Sequence, residues 1–119
     1  MKVYGLGLRG ERAARRFLRL RGYRILERNY QCRFGELDLI AKKNGWIVFC
    51  EVKARSAGML DAPQAFVTPV KQQKMLKTAR YYLMKKNLSD VPARFDVLAV
   101  TFNEKGACTV EHLENVMEC

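Results

Sequence analysis

Residues 35–55, GELDLIAKKNGWIVFCEVKAR, form two apolar runs separated by Asn44-Gly45, and both runs carry acids. Asn-Gly between strand-like segments is the strongest short-range hairpin signal, because a type I′ turn needs positive φ at both central residues. A two-residue turn pairs Lys43 with Trp46, and the rest of the register follows from that pair. One face then carries Leu37 opposite Val52, Leu39 opposite Cys50 and Ala41 opposite Val48, an apolar surface suited to lie under a helix. The other face carries Ile40 opposite Phe49, Asp38 opposite Glu51 and Glu36 opposite Lys53, so its inner half is ionisable.

Directly opposed side chains have Cβ atoms about 5 Å apart, and like charges so placed destabilise a sheet. At an effective dielectric near 20, Asp38 and Glu51 as anions would repel by on the order of 3 kcal/mol. Three compensations are open: a shared proton that raises one carboxyl pKa, the Lys53 ammonium, or a divalent cation between the oxygens. Carboxylates splayed apart on a surface would be the uneventful alternative. Glu51 and Lys53 are two apart on one strand and point the same way. A hard-oxygen pair beside an ammonium is what metal-assisted phosphodiester hydrolysis requires.

The chain has 119 residues, which fits one domain spanning 1–119 without a linker. Lys and Arg number 22 against 12 Asp and Glu, for a net charge of +10. Such an excess favours a polyanionic partner, nucleic acid before an anionic membrane surface. The longest apolar run, Trp46 to Cys50, is far short of the roughly 20 residues that span a bilayer. The glycine-broken start, MKVYGLGLRGER, lacks the apolar core of a secretory signal, so a cytoplasmic location is expected. Cys32, Cys50, Cys108 and Cys119 form no CxxC or Cys/His cluster, which leaves them as reduced thiols.

Helical spacing of Ala14, Phe17, Leu18 and Arg21, ended by Gly22, places a first helix over about Leu8 to Arg21. Arg12, Arg15, Arg16 and Arg19 fall on its solvent face, either for phosphate contact or as an ordinary solvated face. Glu11 lies at the border of the apolar stripe, pointing into a cleft or compensating the helix dipole. A second helix opens at Thr68-Pro69, an N-cap followed by proline, and runs to about Lys86. Its buried stripe is Met75, Leu76, Ala79, Tyr82 and Leu83. Lys71, Lys74, Lys77, Lys85 and Tyr81 are expected on the opposite side, a composition suited to a nucleic-acid backbone or to solubility alone. Strands are expected at 23–30, 36–41, 46–54, 95–102 and 108–113. Helix, strands, helix, strands around one core make a mixed sheet flanked by helices.

Asp38 followed by Glu51-Val52-Lys53 resembles the PD-(D/E)xK nuclease superfamily, whose core hairpin carries one Asp and then Glu-x-Lys on the next strand. GELDLIA, VFCEVKAR, GERAARRFLRLRGYRILERNY and RFDVLAV are similar to the YraN family of uncharacterised bacterial proteins, over nearly the whole chain. The resemblance implies an α/β fold: a restriction-endonuclease-like, three-layer α/β/α sandwich with a central mixed five-stranded sheet. It also implies Asp38, Glu51 and the Val52 backbone carbonyl as ligands for Mg or Mn, Lys53 beside the attacking water, and Glu11 completing the acidic cluster. Leu37 departs from the superfamily pattern, in which a proline precedes the aspartate.

The function so implied is a metal-dependent endonuclease acting on DNA, branched DNA included, since archaeal Holliday-junction resolvases are similar in size and in their N-terminal helical glutamate. The rival readings are a non-catalytic nucleic-acid-binding module and a subunit of a larger assembly; a homodimer would let one small site address both strands. Arg55 shares a face with Glu51 and Lys53, as a phosphate clamp or an ordinary strand-end arginine. Arg12, Arg16, Lys71 and Lys74 complete the expected nucleic-acid contacts. Glu36 either holds Lys53 or is structural. Asp96 is expected to order the neighbouring strand or the first helix, and His112 to lie on the surface.

Overall fold

A computed structural model describes residues 3–57 and 68–118; Cys119 lies outside the described residues. The elements are α1 (Val3–Leu20), β1 (Arg24–Cys32), β2 (Gly35–Lys43), β3 (Trp46–Ser56), α2 (Pro69–Lys85), β4 (Ala93–Phe102) and β5 (Cys108–Glu118). The five strands form one sheet in the order β1-β2-β3-β4-β5. Only β3 and β4 run parallel, the crossover between them containing α2, and the other neighbours are antiparallel. The sheet is therefore mixed, as expected.

The β2–β3 hairpin has the inferred turn, with φ of 52° at Asn44 and 84° at Gly45. Lys43 pairs with Trp46, Ala41 with Val48 and Leu39 with Cys50. Each face of this sheet is covered by one helix. Ala14 and Leu18 of α1 pack on Leu39, Ala41, Val48, Cys50, Leu98 and Val100. Met75, Ala79, Tyr82 and Leu83 of α2 pack on Leu37, Ile40, Ile47, Phe49 and Phe95. The result is a three-layer α/β/α sandwich whose central strands are apolar on both faces.

Several expectations are corrected. Leu37 packs under α2 rather than beside Leu39, so strict alternation fails at the start of β2. The first helix begins at Val3, earlier than its apolar spacing indicates, because glycine weakens a helix without forbidding it. Gly10 has a packing reason: a Cβ there would lie 2.5 Å from the Ala54 Cβ, so its absence lets α1 approach β3. Arg21 is exposed, its guanidinium 3.6 Å from the centre of the Phe17 ring. Arg15 turns partly inward, where burial first and then Arg28 and Arg19 lower its pKa.

β5 runs past Leu113 to Glu118, where Val116 and Met117 pack on the α2-side core and Met117 pairs with Phe95, and the strand is further anchored by Asp96. Its carboxylate is fully buried and accepts from His112 Nε2 at 2.7 Å, Arg94 Nε at 3.0 Å and the Asn115 backbone N–H at 2.9 Å. The last bond sits at a bulge, where the β4–β5 register shifts between Phe95 and Val97 and Asn115 has φ of 55°. His112, expected at the surface, is instead 10% exposed, with its ring edge-on to Phe17 and Tyr23. Burial alone would raise the Asp96 pKa, but the bonds from His112, Arg94 and Asn115 outweigh it and hold it below the usual carboxylate value. Asp96 thus ties the edge strand to β4, one of its two expected roles.

Removing a buried, paired charge strands its partners. Asp96→Ala is expected to cost roughly 3–5 kcal/mol in urea denaturation, whereas the exposed Asp90 replaced by Ala should be nearly neutral. Equal stability of the two variants would refute the assigned role.

Candidate active site

The registered pairing of β2 with β3 ends at Leu39 and Cys50. Beyond it, the Asp38 side chain fills the fork: Oδ2 accepts the Val52 backbone N–H at 2.8 Å. This replaces the Asp38–Glu51 cross-strand pair expected from an unbroken ladder. Glu36, expected opposite Lys53, accepts instead from Gln31 Nε2 on β1 at 3.2 Å. A carboxylate standing in for a backbone carbonyl satisfies a donor that the diverging strands would otherwise leave unmet.

Glu51, one residue before that N–H, is only 5% exposed. A buried carboxylate needs pairing, and two cations supply it. Lys53 Nζ lies 3.2 Å from Glu51 Oε2, and Lys71 Nζ from α2 donates to the same oxygen. Burial disfavours the Lys71 ammonium, but its contact with Glu51 and the nearby Asp38 charge prevail and raise its pKa. Asp38 is pushed up to about 7, by burial first and then by the Glu51 charge, with the Val52 N–H opposing both.

Lys71 is the residue whose place the sequence reading missed. Grouped above with the outer basic face, it turns out to point at Glu51. The signal was present: Lys71, Met75, Thr78 and Tyr82 recur at i, i+4, i+7 and i+11, and the last three are buried. Thr78 belongs to that inner stripe as well. A lysine at the N-terminal end of a buried stripe therefore faces the sheet.

Glu11 on α1 is half-buried and interacts electrostatically with Asp38, Glu51 and Glu36. Burial raises its pKa, against a hydrogen bond with Asn29 and the charge of Arg15. Among the described residues no group of three or more acids, His or Cys converges to hold a metal, so Glu11 contributes field rather than a third ligand in this arrangement. Asp38 and Glu51 themselves fit Mg²⁺ or Mn²⁺. Both are hard oxygen donors, such ions keep several waters and need only one or two carboxylates, and the two ammoniums on Glu51 show that positive charge is stabilised there.

Arg55 Nε donates to Thr101 Oγ1 on β4 at 3.2 Å. Lys74 is exposed and, with Lys71 and Gly35, lines a cleft of about 380 Å³ beside the carboxylates' flanking lysine. Arg12 and Arg16 are exposed on α1, in a separate groove floored by Phe17 and Phe102. Cys50 is buried and Cys108 exposed, both as free thiols. No described helix is long and apolar enough to cross a membrane.

The profile of the uncharacterised protein family UPF0102 matches residues 10–100, a span that holds Glu11, Asp38, Glu51, Lys53, Lys71 and Asp96. A UPF0102 protein of Geobacter sulfurreducens is 43% identical over 113 residues, covering 95% of this chain and 88% of the relative. One of Pelobacter propionicus is 45% identical over 114 residues, covering 94% and 81%. One of Persephonella marina is 38% identical over 112 residues, covering 94% and 92%.

With its pKa raised, Asp38 keeps a proton in the fold that the unfolded chain releases near pH 4. Stability in the presence of a chelator should therefore fall as pH rises from about 4 to 7 through this group. Asp38→Asn should flatten that slope in thermal unfolding; parallel curves for the two proteins would exclude the assignment.

Proposed function

The chain belongs to the uncharacterised protein family UPF0102, which is the YraN family of the sequence resemblance, and we propose that it is a divalent-metal-dependent nuclease that hydrolyses phosphodiester bonds, DNA being the favoured substrate. One observation carries this reading: the hairpin fork brings Asp38 and Glu51 together beside the Lys53 ammonium. The net charge of +10 supports a polyanionic substrate.

A Mg²⁺ or Mn²⁺ ion held by Asp38 and Glu51, with the Val52 carbonyl as a further oxygen, would supply Lewis-acid polarisation of the phosphate and activation of a water. The chain's own residues do the remainder. Lys53 is held by Glu51 and offers its ammonium to the negative charge that develops on the phosphate oxygens. Lys71 neutralises Glu51 from α2 and would add a second ammonium for a phosphate bound beside it. Lys74, exposed one turn further along α2, extends the positive track. Glu11 keeps the cleft electronegative enough to favour a cation over a second anion. A cytoplasmic location and a homodimer that addresses both strands fit this reading.

The pairing of Glu51 with two ammoniums favours one rival, a nucleic-acid-binding module in which lysines neutralise the carboxylates permanently. Cleavage of labelled single-stranded, duplex, flap and four-way-junction DNA with Mn²⁺ separates the two. Wild type is expected to cut, Glu51→Gln to be inactive, and Lys53→Ala to lose about 10²-fold or more in rate while still binding DNA. Binding without cutting by all three proteins would select the module, and normal cutting by Lys53→Ala would remove that lysine from the chemistry.

A further inference from the structure

Beyond the carboxylates, the β1–β2 turn and the outer flank of α2 enclose a second cleft of about 450 Å³ lined by Arg33, Phe34, Lys77, Arg80, Tyr81 and Met84. Its walls are apolar and its rim is wholly cationic. The Phe34 and Tyr81 rings meet edge to face with centroids 5.7 Å apart. Arg33 lies over Phe34 at 4.9 Å and Lys85 over Tyr81 at 5.8 Å, while Met84 is 58% exposed. Two half-buried aromatic rings and an exposed methionine among four cations, with no acid in the lining, match an occupant that is flat, apolar and negatively charged at once. An unpaired nucleotide has that chemistry: its base stacks on a ring while its phosphate meets a cation.

The cleft is also continuous with the site. Lys74, Lys77, Tyr81 and Lys85 recur at i, i+3, i+7 and i+11 and form one stripe along α2. Lys71, at the start of the helix, touches Glu51 and lines the intermediate cleft together with Lys74 and Gly35. Gly35, next to Phe34, has φ of 152°, and a Cβ there would press on Thr78 Oγ1 at 3.1 Å, so its small size seats the turn against α2 and fixes Phe34 beside Tyr81. From Lys71 to Tyr81 the helix rises about 15 Å. At the stacked spacing of 3.4 Å this is about four nucleotides of one strand.

We propose that the Phe34–Tyr81 cleft is a base-stacking site for an unpaired segment of the strand whose backbone passes Lys71 and Glu51. A paired base keeps its faces inside the duplex, so the site selects substrates with single-stranded nucleotides a few positions from the phosphate at the carboxylates. Arg33 and Lys85 leave the rings for the phosphates as the base arrives. The direction toward the carboxylates rests on the nuclease reading, whereas stacking itself requires no metal.

The test uses binding in a chelating buffer, where cleavage plays no part. A fluorescein-labelled 12-mer of thymidine is titrated with wild type, Tyr81→Phe, Tyr81→Leu and Phe34→Leu. Tyr81→Phe is expected to bind as wild type, and each leucine variant to weaken single-strand binding about tenfold or more while duplex binding changes less than about threefold. With a 2-aminopurine oligonucleotide, wild type should quench the base fluorescence by stacking, a readout that needs no variant to fold. Unchanged single-strand affinity in both leucine variants, absence of quenching, or displacement of the oligonucleotide by polyglutamate of equal charge as readily as by unlabelled oligonucleotide would each overturn the proposal. Binding and quenching are read without metal, so failure of the Mn²⁺ cleavage assay leaves them untouched, and loss of the nuclease reading and loss of the stacking site are separately visible.

Discussion

The buried Glu51 carboxylate is the constraint around which the sheet and α2 meet. It sits on β3, the central strand, where desolvation makes an unpaired anion untenable. Its partners come from two elements: Lys53 from the same strand and Lys71 from the first turn of α2. Pairing therefore docks the N-terminal end of α2 over the fork while Met75, Ala79 and Tyr82 bury the rest of the helix. Asp38 completes the arrangement by accepting the Val52 N–H, and it holds the fork apart where a ladder would otherwise close it.

Charge burial recurs at the far side of the sheet with a different outcome. Asp96 is more deeply buried than Asp38, yet its pKa is lowered and that of Asp38 is raised. The difference lies in the donors. Asp96 is surrounded by His112, Arg94 and a backbone N–H, and its negative charge is fully compensated. Asp38 has one backbone donor and faces another carboxylate. Compensated, a buried acid pins an edge strand; undercompensated, it is left seeking a cation, which is the property a metal or substrate site exploits.

Much of the site was legible because a hairpin with an Asn-Gly turn has a definite register. That register places Asp38, Glu51 and Lys53 in one region before any tertiary contact is considered. The same reasoning failed where the ladder ends: Leu37 changes side, and Glu36 bonds to Gln31 instead of facing Lys53. The inferred register belongs to the pairing with β3, which ends at Leu39 and Cys50, whereas beyond that point β2 is paired with β1 alone. His112 went wrong for a related reason. It follows charged Glu111 on an edge strand and so reads as exposed, but Asp96 on β4 draws the imidazole in across the sheet.

By itself the sequence determined the elements, the N-cap at Thr68, the hairpin register up to Leu39 and Cys50, and the identity of the acidic pair, because these depend on local backbone preferences and on spacing within one element. Tertiary structure alone decided which cation answers Glu51 from the opposite layer, which acid is neutralised and which is not, and how Phe34 comes to lie beside Tyr81. The physical reason is desolvation. Burial sets the free energy of each charge, and burial exists only once distant segments have packed.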